Sequence, residues 1–271
     1  MPLTYYSRAA TRDFWSEHWA GQEVQGLLEI ARSSPLTDII EAALPRRGRI
    51  LEAGCGLGQY VILFRERGRR AVGVDWSLEA LGRCRDAVPG TPLTVMDLGR
   101  LAVRSGVFDA YVSLGVVEHD PEGPARIVAE AARVLAPGGR LILSVPYWNG
   151  LRKLAAAHLK RQGRKLSASG GEFYQFAFSR REVRAFLEAE GFRVRSLHPY
   201  DPVRMMRPAL RWIARIAAGV GLRGRARDEW PAVDPAPAAR RGHASALRRM
   251  AYSDPVLRMC AHMILAVAER P

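Results

Sequence analysis

The run Leu51-Glu52-Ala53-Gly54-Cys55-Gly56-Leu57-Gly58-Gln59 constrains this chain more than any other stretch. Ile50 and Leu51 read as the end of a short buried strand, and residues 60–67 have helical spacing. Strand, glycine-rich turn and helix make the first half of a βαβ unit. Glycine at every second position lets the backbone turn sharply and lets a ligand approach with no Cβ in the way. The first amides of the helix then point at that ligand.

The spacing sorts the ligands. A dinucleotide loop reads G-x-G-x-x-G. Counted from Gly54, its third glycine falls at Gln59, whereas the glycine here comes one residue early, at Gly58. Glu52 stands two positions before the first glycine. A carboxylate there repels a pyrophosphate in a cleft of low dielectric, and suits a ligand with an ammonium or sulfonium group. The dehydrogenase reading fails on both counts.

Strand and helix signals alternate from residue 48 to 146. Residues 70–75 form a second strand ending on Asp75, 21 positions after Gly54 (75 − 54). That is the distance at which a carboxylate meets ribose hydroxyls, and its two oxygens can accept from both. Trp76 follows and suits an adenine face. Ser77 caps a helix over 78–87, supported by Glu79. A third strand, 93–96, ends at Asp97, where a carboxylate or backbone group can take an adenine amino hydrogen. Residues 108–114 make a fourth strand, and Gly115 to Asp120 the loop after it. A helix over 124–136 is stopped by Pro137-Gly138-Gly139, and residues 141–145 make a fifth strand. Ser179 and Glu182 form a capping box for a helix over 180–190, before a sixth strand at 193–197. The expected class is α/β, a doubly wound parallel sheet with helices on both faces. Ligands bind at the carboxyl ends of such strands. Gly54, Asp75, Asp97, Leu114 and Tyr147 all fall there.

Four ordered pieces resemble a class I S-adenosylmethionine-dependent methyltransferase of the small-molecule type. They are Glu52-Ala53-Gly54-Cys55-Gly56-Leu57-Gly58; Val74-Asp75 with Met96-Asp97; Phe108-Asp109-Ala110 with Val117-Glu118-His119; and Arg133 to Gly139. The resemblance spans residues 48–199. It implies a seven-stranded sheet of order 3-2-1-4-5-7-6 with an antiparallel last strand, and makes residues 260–271 that strand. It also implies S-adenosylmethionine as cofactor. Glu52, Gly54, Cys55, Gly56 and Gly58 in the glycine loop would hold its amino-acid end, Asp75 the ribose, and Asp97 with Leu98 the adenine; Trp76 and Leu114 complete the expected cofactor-binding set.

The remaining segments flank this core. Residues 1–47 read as an N-terminal helical cap, with helices over 23–32 and 36–44. Phe14, Trp15 and Trp19 in it either cover the ligand or pack on the sheet. Residues 147–178 read as a poorly patterned connection of the kind that forms lids. Residues 200–259 read as a basic insertion. Arg204, Arg207, Arg211 and Arg215 recur on one helical face, and 222–243 reads as an Arg-, Ala- and Pro-rich linker. The 204–216 stretch suits peripheral membrane contact, an anionic substrate, or simply a solvated face.

The net charge of +14, from 41 Lys and Arg against 27 Asp and Glu, favours anionic partners: nucleic acid, acidic lipid or a phosphorylated substrate. Three scattered cysteines fit neither a zinc motif nor a disulfide framework and point to the cytoplasm. No apolar run reaches the length of a membrane span, and the start lacks the pattern of a secretory signal.

For a methyl transfer the protein must hold a nucleophile in line and exclude water. His119 is the first candidate base, with the alternative that it only tethers the loop. Tyr147 and Tyr174 are candidates for substrate contact. Glu118-His119 resembles part of the metal site of ubiquinone-type O-methyltransferases, but the further acid expected three residues earlier is Gly115, so no metal is expected. Neither the Pro-Pro-Tyr run of DNA amino-group methyltransferases nor a Pro-Cys pair is present. A small-molecule oxygen acceptor, such as a sugar, polyketide, quinone or lipid-linked glycan, is the leading expectation. An RNA methyltransferase using the basic half, and a regulatory protein that binds the cofactor without turnover, are the alternatives.

Overall fold

A computed structural model describes residues 1–202, 204–205, 250 and 252–271. The chain opens with β1 (Leu3–Ser7) and the helices α1 (Arg12–Ala20), α2 (Val24–Ser33) and α3 (Pro35–Ala43). The alternating core follows: β2 (Arg49–Ala53), α4 (Gln59–Glu66), β3 (Arg70–Asp75), α5 (Leu78–Ala87), β4 (Leu93–Val95), β5 (Phe108–Leu114), α6 (Ala125–Val134) and β6 (Leu135–Pro146). Then come α7 (Gly150–Leu154), α8 (Ala156–Ala168), β7 (Glu172–Ala177), α9 (Arg180–Ala189), β8 (Arg193–Tyr200), α10 (Asp254–Cys260) and β9 (Met263–Glu269). Arg207, Arg211, Arg215 and the 222–243 stretch lie outside the described residues.

Among the described residues, seven strands form the main sheet in the order β4-β3-β2-β5-β6-β9-β8. Numbered within the core this is 3-2-1-4-5-7-6, as the resemblance implied. β2 through β6 pair in parallel, and β9 runs antiparallel to both its neighbours. Residues 262–268 can be read as helix or strand from their apolar run alone. They become a strand because β9 is flanked on both edges and buried on both faces, where a continuous apolar run fits.

The two faces of the sheet separate by residue parity. Ile50, Ala110, Val112 and Ile142 pack with α2, α4 and α5, while Leu51, Tyr111, Leu141 and Leu143 pack with α6 and α9. Alternate residues thus feed two cores, and the rim between them is left for ligands.

The helix over 124–136 is shorter than its sequence reading. It ends at Val134, and β6 begins at once. The Pro137-Gly138-Gly139 turn bulges out of the β5–β6 register and bonds to the end of β9, Gly138 N donating to the Arg270 carbonyl at 2.8 Å. The expected capping box is present: Ser179 Oγ accepts from Glu182 N at 3.3 Å, and Glu182 Oε2 from Ser179 N at 2.8 Å. Ser179→Ala is expected to cost about 1 kcal/mol, read as a lower denaturant midpoint with unchanged slope.

The largest departure from the sequence reading is residues 147–178. They are not an unpatterned connection but α7, α8 and β7. β7 pairs antiparallel with β1, from Leu3 opposite Ala177 to Ser7 opposite Glu172. A strand whose partner lies about 170 residues away carries no local signature of that pairing. Among the described residues no helix is long and apolar enough to cross a membrane.

Candidate active site

The carboxyl ends of β2 to β5 open into a cleft of about 720 Å³. Glu52, Gly54, Cys55, Asp75, Trp76, Asp97, Leu98 and Leu114 line it, eight of the ten residues expected to hold the cofactor. Gly56 and Gly58 do not line it. A Cβ on Gly56 would lie 2.4 Å from Trp19 Cζ2, and one on Gly58 would lie 2.8 Å from Cys84 Sγ. The lack of a side chain at Gly56 makes room for the Trp19 ring, and at Gly58 for Cys84 in the core. Gly54 does face the cleft at a left-handed φ of 77°, with no room for a Cβ against Val116.

Asp75 is the hinge of the site. Its Oδ2 accepts from Gly56 N at 2.8 Å and its Oδ1 from Ser77 N at 2.9 Å. Each oxygen keeps a further lone pair for a hydroxyl. Burial pushes this carboxyl above the usual range, against those amide bonds. Glu52 is pushed up further, mainly by burial and then by the charge of Asp75. Its Oε2 accepts from Val61 N at 2.8 Å and so also caps α4. Two buried acids held towards neutrality regain their charge most readily beside a cation. Asp97 sits at the exposed rim, paired with Arg126 at 3.2 Å.

The roof comes from the N-terminal segment. Trp15 and Trp19 of α1 line the cleft with residues 9–12, and Glu172 and Phe173 of β7 close one side. Ser16 Oγ reaches Glu79 Oε2 at 2.9 Å, fastening α1 to α5. Of the aromatics expected either to cover the ligand or to pack, Trp15 and Trp19 line the cleft, whereas Phe14 packs against Trp15 and Tyr174.

A second cavity of about 580 Å³ adjoins the first. Trp15, Gln59, Leu114, Gly115 and His119 line both. His119 stands in this shared wall, ring centroids 5.0 Å from Trp15 and 5.0 Å from Tyr174. Its Nδ1 lies 2.8 Å from the Tyr174 carbonyl, which assigns the proton to Nδ1. Burial lowers its pKa to about 4, so the ring is neutral and a weak base. Tyr174 lines the second cavity. Tyr147 lines neither: it is buried in the core beyond β6, bonded through its amide to the His262 carbonyl at 2.9 Å. The expected role for Tyr147 is therefore corrected.

The sequence reading missed Glu118 as a cavity residue. It is buried, it lines the second cavity, and its Oε2 has no hydrogen-bond partner. Gln59 Oε1, in the shared wall, is likewise buried and unpartnered. An acidic residue inside an apolar Val-Val-Glu-His run was the available signal. Among the described residues no cluster of three or more His, Cys, Asp or Glu is placed to hold a metal.

A family model described as a methyltransferase domain matches residues 51–143. The chain carries a class I S-adenosylmethionine-dependent methyltransferase domain. It is 32% identical over 132 residues to a tRNA (carboxymethyluridine(34)-5-O)-methyltransferase of Macaca fascicularis, covering 47% of this chain and 19% of that protein. It is 36% identical over 104 residues to a phosphatidylethanolamine N-methyltransferase of Cereibacter sphaeroides, covering 36% and 50%. The match thus spans half or less of either relative. A geranyl diphosphate C-methyltransferase of Streptomyces coelicolor shares the fold, with a TM-score of 0.57 at 15% identity, the comparison covering 99% of this chain and 91% of that one.

The residues present fit the cofactor. Buried Asp75 faces the cleft with spare acceptor capacity, and Gln59 Oε1 offers an orphaned acceptor to an ammonium. Glu52 places a second acid there, while Met96, Leu98 and Trp76 give an apolar side for a base. Asp75→Ala is expected to weaken binding of S-adenosylhomocysteine by about 1–3 kcal/mol, from unpaired hydroxyls and two released loop amides. Calorimetric titration of variant and wild type checks it.

Proposed function

We propose that this chain methylates a hydroxyl oxygen of a small, largely apolar molecule, using S-adenosylmethionine. The observation that carries the reading is the pair of abutting cavities with one shared wall. A transfer between two bound molecules needs two adjoining compartments and exclusion of water. The cofactor supplies an electrophilic methyl group on positively charged sulfur. Asp75, Glu52 and Gln59 would hold it, and Trp15, Trp19 and residues 9–12 would shield it. His119, tethered to the Tyr174 carbonyl, would fix the shared wall and orient the acceptor rather than take its proton.

The second cavity is lined by Leu27, Ile30, Leu36, Ile39, Leu197 and Met263 among others. That apolar surface suits a hydrophobic ring or chain better than a sugar. A cytoplasmic location and a lipid-linked acceptor remain within this proposal.

The RNA reading is favoured by one observation. α8 presents Lys160, Arg161, Arg164 and Lys165 to solvent with no acid among its residues. The test is direct. Purified protein with labelled S-adenosylmethionine is offered hydrophobic phenols and alcohols, and separately total tRNA. Label in an O-methyl product supports the proposal. Label in RNA, with binding that falls steeply with salt, replaces it with the RNA reading. Binding of the cofactor with transfer to neither supports a regulatory role.

A further inference from the structure

We propose that Glu118 is the base of the second cavity, taking the proton of the acceptor's hydroxyl through Oε2; this rests on the function proposed above. Three observations meet at this side chain. It lies in the short 3₁₀ turn Val117–His119 directly after β5, which sets it beside the shared wall. The residue is buried yet lines a cavity large enough for an organic molecule. Its Oε2 has no partner, although a buried carboxyl left unbonded is costly. A hydroxyl entering this cavity satisfies that oxygen without bringing a net charge into apolar surroundings.

In the transfer the acceptor's O–H bond breaks and its proton passes to Oε2. An oxygen lone pair forms the new bond to the methyl carbon, and the carbon–sulfur pair stays with sulfur, leaving a neutral thioether. The carboxylic acid so formed returns its proton to water when product leaves. His119 suits this role less well, since its Nδ1 is committed to the Tyr174 carbonyl and its ring resists protonation.

The groups facing Glu118 set its behaviour with pH. Tyr174 of β7 and Tyr200 of β8 lie near enough to feel its charge. Around the cavity stand His18 of α1, Tyr60 of α4, His119 in the shared wall, His198 of β8, and His262 before β9. Arg204 and Asp201 follow β8, with Tyr252 and Asp254 at the start of α10. Burial dominates and pushes the Glu118 carboxyl up to about 8, making its carboxylate a stronger base than an exposed one.

The experiment uses the full chain with S-adenosylhomocysteine bound, and 4-nitrophenol and 1-naphthol as probes. Both phenols are expected to bind wild type. Glu118→Gln should weaken them by about tenfold, Glu118→Asp by less, with affinity for S-adenosylhomocysteine unchanged as the control for folding. Bound 4-nitrophenol should show phenolate absorbance at lower pH in wild type than in Glu118→Gln. With S-adenosylmethionine, methylation should rise with pH through about 8 in wild type, whereas in Glu118→Gln it should follow only the ionisation of the phenol itself. Failure of wild type to bind either phenol, or equal binding and an equal pH profile in Glu118→Gln, overturns the assignment. Absence of S-adenosylhomocysteine binding to wild type would instead defeat the proposed function beneath it.

Discussion

Gly56→Val is expected to abolish cofactor binding, lowering affinity for S-adenosylhomocysteine at least a hundredfold, about 3 kcal/mol or more. Two effects add. Gly56 holds a left-handed φ of 52°, which a β-branched residue adopts only under strain. Its Cβ would also lie within 2.9 Å of three ring atoms of Trp19, so α1 must lift. Lifting α1 removes Trp15 and Trp19 from the cleft and moves Gly56 N away from Asp75. The damage would therefore come through the roof and not by filling the ligand's own space. Calorimetry measures the loss, and near-ultraviolet circular dichroism reports the tryptophans. Normal affinity with an unchanged tryptophan signal would show that the loop tolerates a side chain and that its geometry is misassigned.

Glu118→Gln is expected to stabilise the protein increasingly as pH rises. The Glu118 carboxyl titrates at about 8 in the folded protein and at 4.5 when unperturbed. A raised folded-state pKa means that the stabilisation belongs to the protonated form. It is fully present below pH 4.5 and is lost as pH rises through about 8. By pH 9 wild type should have lost stability on the order of 4 kcal/mol from this one group, the glutamine variant none. Thermal midpoints should then coincide near pH 4.5 and diverge above it, with the variant higher. Parallel curves from pH 5 to 9 would place the carboxyl in a more polar setting.

Much of this architecture is legible in the sequence because its signals are local. Gly54, Ser77 and Asp75 announce a turn, a cap and a strand-end acid within 24 consecutive residues (54 to 77), and the structure sets all three at the rim. The strand order followed from resemblance and holds in the sheet. What escaped is what depends on distant partners. β1 and β7 are each weakly patterned and become strands by pairing with one another. Gly56 looks like a ligand-facing glycine until Trp19 is folded over it. Tyr147 follows a strand end, as site residues do, but turns into the core. Glu118 and His119 are adjacent in sequence, yet one bears on a single cavity and the other on both. In a 3₁₀ turn, unlike a strand, adjacency in the chain does not fix which side of a wall a side chain will face.

The pairing of Leu3 with Ala177 has a consequence for biogenesis. β1 leaves the ribosome before β7, and has nothing to join until β7 has been synthesised. Long-range pairing of this kind is slow to form and leaves a strand edge bare meanwhile. On a nascent chain the indoles of α1 would thus wait in solvent while β2 to β6 assemble beneath them. These residues, made before the sheet, would settle after it, and the compartment they close would become watertight only late in translation.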